Sequence, residues 1–105
     1  MYYRYMLEKK GEKTGILTGL DSYFSLDEAM ELGWIFEEKL ALPPISMSDT
    51  KSYFTEKGNR CFRKAIRKIQ EAAEKKGVQT ICETQKDLSD ILWKDEKQVI
   101  VLSEL

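Results

Sequence analysis

The stretch KSYFTEKGNRCFRK, residues 51–64, joins an aromatic pair and a threonine to a run of positive charge that continues to Lys68. Arg60, Arg63, Lys64, Arg67 and Lys68 are the side chains that would neutralise phosphates or engage an acidic protein surface. Between residues 21 and 40 the balance reverses: Asp21, Asp27, Glu28, Glu31, Glu37 and Glu38 stand against Lys39 alone. From that segment Glu28, Glu31 and Glu38 are candidates for contact with a basic partner, where carboxylates can mimic a phosphate backbone. Both sets have a plainer reading, because long charged side chains on the outer side of an amphipathic helix are ordinarily a solvated face. The net charge of −1 lacks the basic excess of a nucleic-acid binder, so nucleic acid ranks below protein as a partner.

Enzymatic chemistry is narrowed by an absence: the chain has no histidine. Ser/His and Cys/His nucleophilic pairs, histidine general bases and nearly all zinc sites are removed with it. Cys61 and Cys82 match no Cys-x-x-Cys pattern, and two free thiols are expected. Asp95 and Glu96 precede a β-branched strand, where a turn acid can act as a general base, but turns are rich in acids for their polarity alone. Gly15-Ile-Leu-Thr-Gly19 lacks the Lys-Ser/Thr that must follow in a phosphate-binding loop. No catalytic residue, metal site or cofactor is favoured by the residues themselves.

These candidates need elements to hold them. Residues 1–7 (MYYRYML) alternate, with Tyr3, Tyr5 and Leu7 on one side and Tyr2, Arg4 and Met6 on the other, as in a pleated strand. A turn over 8–13 and a second strand over 14–20 (TGILTGL) would close a hairpin. Ser25-Leu-Asp-Glu28 is a capping box that starts a helix, stopped by Pro43-Pro44. Leu26, Ala29, Met30, Gly33, Phe36 and Leu40 give that helix a buried stripe, and Trp34 and Ile35 widen it, so that the helix has a second side to cover. After a short strand at 51–54, Thr55 caps one long helix to Gly77, with Phe62, Ile66, Ile69 and Ala73 inward. A strand over 78–83, a helical turn within 85–90, and a hairpin of 91–93 with 98–102 complete the chain. Hairpins dominate, so the expected fold is α+β: a mostly antiparallel sheet with two amphipathic helices packed on it.

At 105 residues, 42% hydrophobic and 33% charged, the chain suits one domain, 1–105, under a charged surface. It opens with no apolar signal segment and contains no apolar run of spanning length, which predicts a cytoplasmic protein without membrane contact. Tyr2, Tyr3, Tyr5, Tyr23, Phe24, Tyr53 and Phe54 are numerous, and rim tyrosines are common at interfaces.

YRY near the start, YFTEKG in the middle and DEKQVIV near the end resemble the layout of small proteins encoded by phages and mobile elements of Gram-positive bacteria. That group has no shared activity, and what the likeness implies is a context: an accessory protein that inhibits a host defence protein by binding it. The same landmarks resemble, more loosely, the ADP-ribosyltransferases. There a first-strand arginine holds the phosphates of NAD, a Ser/Thr strand shapes the cleft and a late glutamate directs transfer. The resemblance would assign these roles to Arg4, Thr55 and Glu96, with NAD as cofactor.

The favoured expectation is a small non-enzymatic protein-binding module. An ADP-ribosyltransferase-like enzyme is the alternative, and nucleic-acid binding through the basic helix the lesser one. One helix of each sign also permits a homodimer.

Overall fold

A computed structural model describes residues 1–46 and 48–103. Strand β1 (Tyr2–Lys9) alternates as its sequence requires, with Tyr3, Tyr5 and Leu7 in the main core and Tyr2 on the opposite face. It reverses through Lys10 (φ 54°) and Gly11 (φ 83°), both left-handed as a two-residue type I′ turn demands, into β2 (Glu12–Gly15). The turn is therefore shorter than the expected 8–13.

The strand expected over 14–20 ends after its first two residues. From Ile16 to Tyr23 the chain is a helix, α1, in which Ile16, Gly19 and Leu20 are buried at i, i+3 and i+4. Burial of that stripe over β1 outweighs the β-propensity of Thr14, Ile16 and Thr18. Gly19 permits the approach, because a Cβ there would stand 2.7 Å from Leu7 Cδ1.

Helix α2 (Leu26–Lys39) begins with the predicted capping box: Glu28 N donates to Ser25 Oγ at 3.2 Å and Ser25 N to Glu28 Oε1 at 3.0 Å. Ala29 and Phe36 are buried, with Leu32 and Leu40 packed beside them. Leu26 and Met30, expected in that stripe, are exposed. At about 100° per residue they lie roughly a quarter-turn round the helix from Ala29 and Phe36.

Strand β3 (Thr50–Phe54) leads through Thr55 into a short helix, α3 (Glu56–Cys61), and then α4 (Arg63–Lys75). The single long helix expected here is broken at Phe62 (φ −104°, ψ 10°). The break reconciles two demands: α3 is pinned against the turn before the last strand, while Ile66, Ile69 and Ala73 of α4 must lie in the core. Phe62, 1% exposed, fills the corner with its ring stacked 4.9 Å from that of Phe36. Helix α4 stops at Gly77 (φ 74°), where Val78 N bonds Ala73 O and Gly77 N bonds Glu74 O, the paired bonds of a Schellman motif.

Strand β4 (Gln79–Gln85) starts one residue later and ends two later than expected. No helical turn forms over 85–90; instead Leu88 folds onto Tyr53, Val99 and Val101 and covers part of the face opposite the helices. Strands β5 (Ile91–Lys94) and β6 (Gln98–Leu102) form the predicted hairpin, with a bulge between Ile91 and Trp93.

The six strands of the described residues pair antiparallel in one sheet. Strand β1 is held along one side by β4 and along the other by β2 and, at Tyr3 and Phe54, by β3, after which come β6 and β5. The outer side of β4 pairs with no strand among the described residues. The result is an α+β fold, with four helices among the described residues rather than two. Its radius of gyration, 13.2 Å, is that of one compact domain of this length. None of the described helices is long and apolar enough to cross a membrane.

Candidate partner-binding groove

One exposed flank of α2, about a quarter-turn from its buried side, is itself apolar. Leu26 (75% exposed), Met30 (63%) and Trp34 (55%) recur every four residues, and Leu42 (88%) follows in the loop below them. With Leu17 of α1 they border a groove of about 720 Å³ between α1, α2 and the 40–43 segment. Its floor is built by buried groups, Leu20, Phe36, Phe54 and Gln98. The Gln98 amide donates to Ala41 O, and so fixes the chain that forms the lower wall. Single exposed apolar residues are common, whereas several large ones around one concavity make this patch a candidate interaction site.

The rim is acidic. Asp21 and Glu37 line the groove, and on the helical wheel Asp27, Glu31 and Glu38 follow immediately beyond Trp34. Of the acids singled out by sequence, Glu31 and Glu38 thus border the apolar stripe and are exposed. Glu28 does not: its carboxylate pairs with Lys76 at 3.1 Å beyond the end of α4. The bond from Ser25 N, and then Lys76, hold the Glu28 carboxyl below the usual range. The sequence signal for this site was the widening of the stripe by Trp34; what it lacked was the rotation of α2 that leaves Leu26 and Met30 outside.

Arg60, Arg63, Lys64, Arg67 and Lys68 are all exposed on α3 and α4, and none forms an ion pair among the described residues. They are not an unbroken basic surface, since Arg67 shares a groove of about 780 Å³ with Glu71 and Glu74, between α4 and β4.

Thr55 and Glu96 meet, but not as a catalytic pair. Thr55 Oγ1 accepts from Gly58 N at 3.1 Å and donates to the main-chain oxygen of Glu96 at 2.6 Å, so the hydroxyl is occupied as a helix cap. The Glu96 carboxylate turns to Lys57 Nζ at 2.7 Å, which holds it below the usual range. Arg4 lies on the sheet face opposite the helices, level with Glu83 on β4. Neither groove is lined by Arg4, Thr55 or Glu96. Asp95 closes the β5–β6 turn, its Oδ1 accepting from Lys97 N at 2.8 Å and Gln98 N at 2.9 Å.

The remaining reactive groups are equally constrained. Both cysteines are free, and partial burial pushes the Cys82 thiol up, opposite to what a nucleophile needs. Burial, with Cys82 beside it, pushes the Tyr5 hydroxyl up to about 12, and this hydroxyl donates to Asn59 Oδ1. Tyr3 donates to Glu56 at 3.0 Å. Among the described residues no three His, Cys, Asp or Glu side chains gather as a metal site. Comparison of the chain with protein-family models, with curated proteins and with solved structures found no match.

Proposed function

We propose that the protein is a non-enzymatic protein-binding module. Its contact surface is the groove between α1 and α2, and its partner is an amphipathic helix flanked by Lys or Arg on another protein. The observation that carries this is the uncovered Leu26–Met30–Trp34 stripe beside a preformed apolar groove. Helix-in-groove recognition needs such a concavity and anchors repeating along one face. Charge selects the partner's sign: Asp21, Glu31, Glu37 and Glu38 at the rim favour a basic flank and repel an acidic one. An inhibitor is one form such a module takes, when the covered basic helix is the partner's own working surface.

The test uses two synthetic amphipathic helices with the same leucine pattern, one with lysine and one with glutamate on its polar face. In a Trp93→Phe background the remaining indole is Trp34, which reports burial by a blue shift of its emission. The lysine peptide is expected to shift Trp34 emission with a Kd of about 1–10 µM, more weakly at high salt. Met30→Glu is expected to abolish the shift with no change in thermal stability. Equal binding of both peptides, or none by the lysine peptide, refutes the reading.

A further inference from the structure

The outer edge of β4 and the groove beside it belong to neither the core nor the α1–α2 surface. We infer that β4 pairs antiparallel with β4 of a second copy about a two-fold axis at Cys82, making one continuous sheet across a homodimer.

An uncovered edge presents a row of unpaired N–H and C=O groups, which natural sheets cover, shorten or charge. Strand β4 is seven residues long, free of proline, and carries one charge, Glu83. Among the described residues no strand covers that edge, and it lacks those protections. Antiparallel pairing of a strand with itself must keep side chains on their own faces, so the axis passes through a residue. Centred on Cys82, Gln79 meets Gln85, Thr80 meets Thr84 and Ile81 meets Glu83, and all seven residues pair. Centred on Glu83, like charges would oppose each other and fewer residues would pair.

Helix α4 supplies independent support. Arg67, Gln70, Glu71 and Glu74, spaced i, i+3, i+4 and i+7, form the α4 wall of the groove beside β4. The axis stands perpendicular to the sheet, so the second copy's α4 lies antiparallel on the same side. In that arrangement Arg67 of each chain faces Glu74 of the other, and Gln70 faces Glu71. The stripe is thus complementary in charge to its own reversed copy, as a two-fold interface requires. The lengths agree as well. Cys82 is three residues of strand beyond Gln79, roughly 10 Å at about 3.3 Å per residue. From the α4–β4 turn back to Gln70 and Glu71 is about 10 Å of helix at 1.5 Å per residue.

The experiment combines mass and cross-linking on the full chain. In a Cys61→Ser background, sedimentation equilibrium to about 200 µM, a range that detects weak interfaces, is expected to show a dimer. A short bismaleimide should then join Cys82 to Cys82, since directly paired Cα atoms lie about 4.5–5.5 Å apart. Moving the thiol, Cys82→Ser with Gln85→Cys, should abolish the cross-link. Arg67→Glu or Glu74→Arg alone should raise the dimer Kd at least tenfold, and the two together restore it, because the pair re-forms reversed. A monomer throughout the range, a cross-link that follows the thiol to position 85, or no rescue by the double reversal would each overturn the inference.

Discussion

Alanine at position 58 tests the seam between α3 and the β5–β6 turn. In an exposed helix Gly→Ala stabilises by about 1 kcal/mol. At Gly58, however, the added Cβ would stand 2.0 Å from the Lys97 carbonyl oxygen and 2.9 Å from its carbon, both main-chain atoms. Ordinary contact begins near 3.4 Å, so helix and turn must part by about 1.4 Å. Besides the solvent-exposed Lys57–Glu96 ion pair, two hydrogen bonds cross that seam, Thr55 N to Lys97 O at 3.0 Å and Thr55 Oγ1 to Glu96 O at 2.6 Å. Losing them costs about 1 kcal/mol each, and crowding adds about 1–3. Less the helix-propensity gain, Gly58→Ala should destabilise by about 2–4 kcal/mol, which in a domain of this size lowers Tm by roughly 10 °C or more. Urea unfolding followed by circular dichroism should show a lower midpoint with an unchanged slope. Gly33→Ala is the control: its Cβ meets only Leu20 Cδ1 at 3.2 Å, the end of a flexible side chain, so it should be neutral or stabilising by up to about 1 kcal/mol. If Gly58→Ala proves as stable as the parent, the close-approach reasoning is wrong.

Two further predictions concern the same half of the molecule. Thr55→Val removes both the α3 cap and the bond to Glu96 O, and should cost about 1–2 kcal/mol in the same urea assay. Tyr5 has its hydroxyl pKa raised from 10.0 to about 12, so the unfolded chain releases that proton first as pH rises. The stability it contributes is whole below pH 10 and is lost as the pH climbs toward 12. Unfolding midpoints across that window should fall less steeply in Tyr5→Phe than in the parent, and parallel slopes would contradict the assignment.

Features read from local chemistry survived into the structure where they were self-contained. Ser25 with Glu28, Thr55 before Glu56, and Gly77 after the α4 stripe each specify a helix end through bonds within a few residues. Residues 14–20 misled because Thr14, Ile16 and Thr18 alternate like a strand, while the i, i+3, i+4 burial of Ile16, Gly19 and Leu20 depends on a distant surface, that of Leu7. The break at Phe62 has no local cause either, being imposed by what α3 and α4 each touch. The groove was half legible: Trp34 announced a second apolar side to α2, but only packing decides which way the helix rolls. Thr55 and Glu96 stand together in space, yet one hydroxyl and one main-chain oxygen make that contact, a detail that residue types alone do not carry.

The placement of β1 bears on how the chain acquires its shape. This strand precedes the other elements in sequence, yet its longest pairing is with residues 79–85, so that pairing cannot form until β4 has left the ribosome. Only the short β1–β2 hairpin is available early, and a lone hairpin is marginally stable in water. Contacts so distant in sequence make folding slow, because the loop must close before the pairing rewards it. A nascent chain ending at residue 75 would display Tyr2, Tyr3, Tyr5 and Leu7 unpaired along the side β4 later covers. Such an intermediate exposes an aromatic strand with an unpaired edge, the kind of surface through which incompletely folded chains associate.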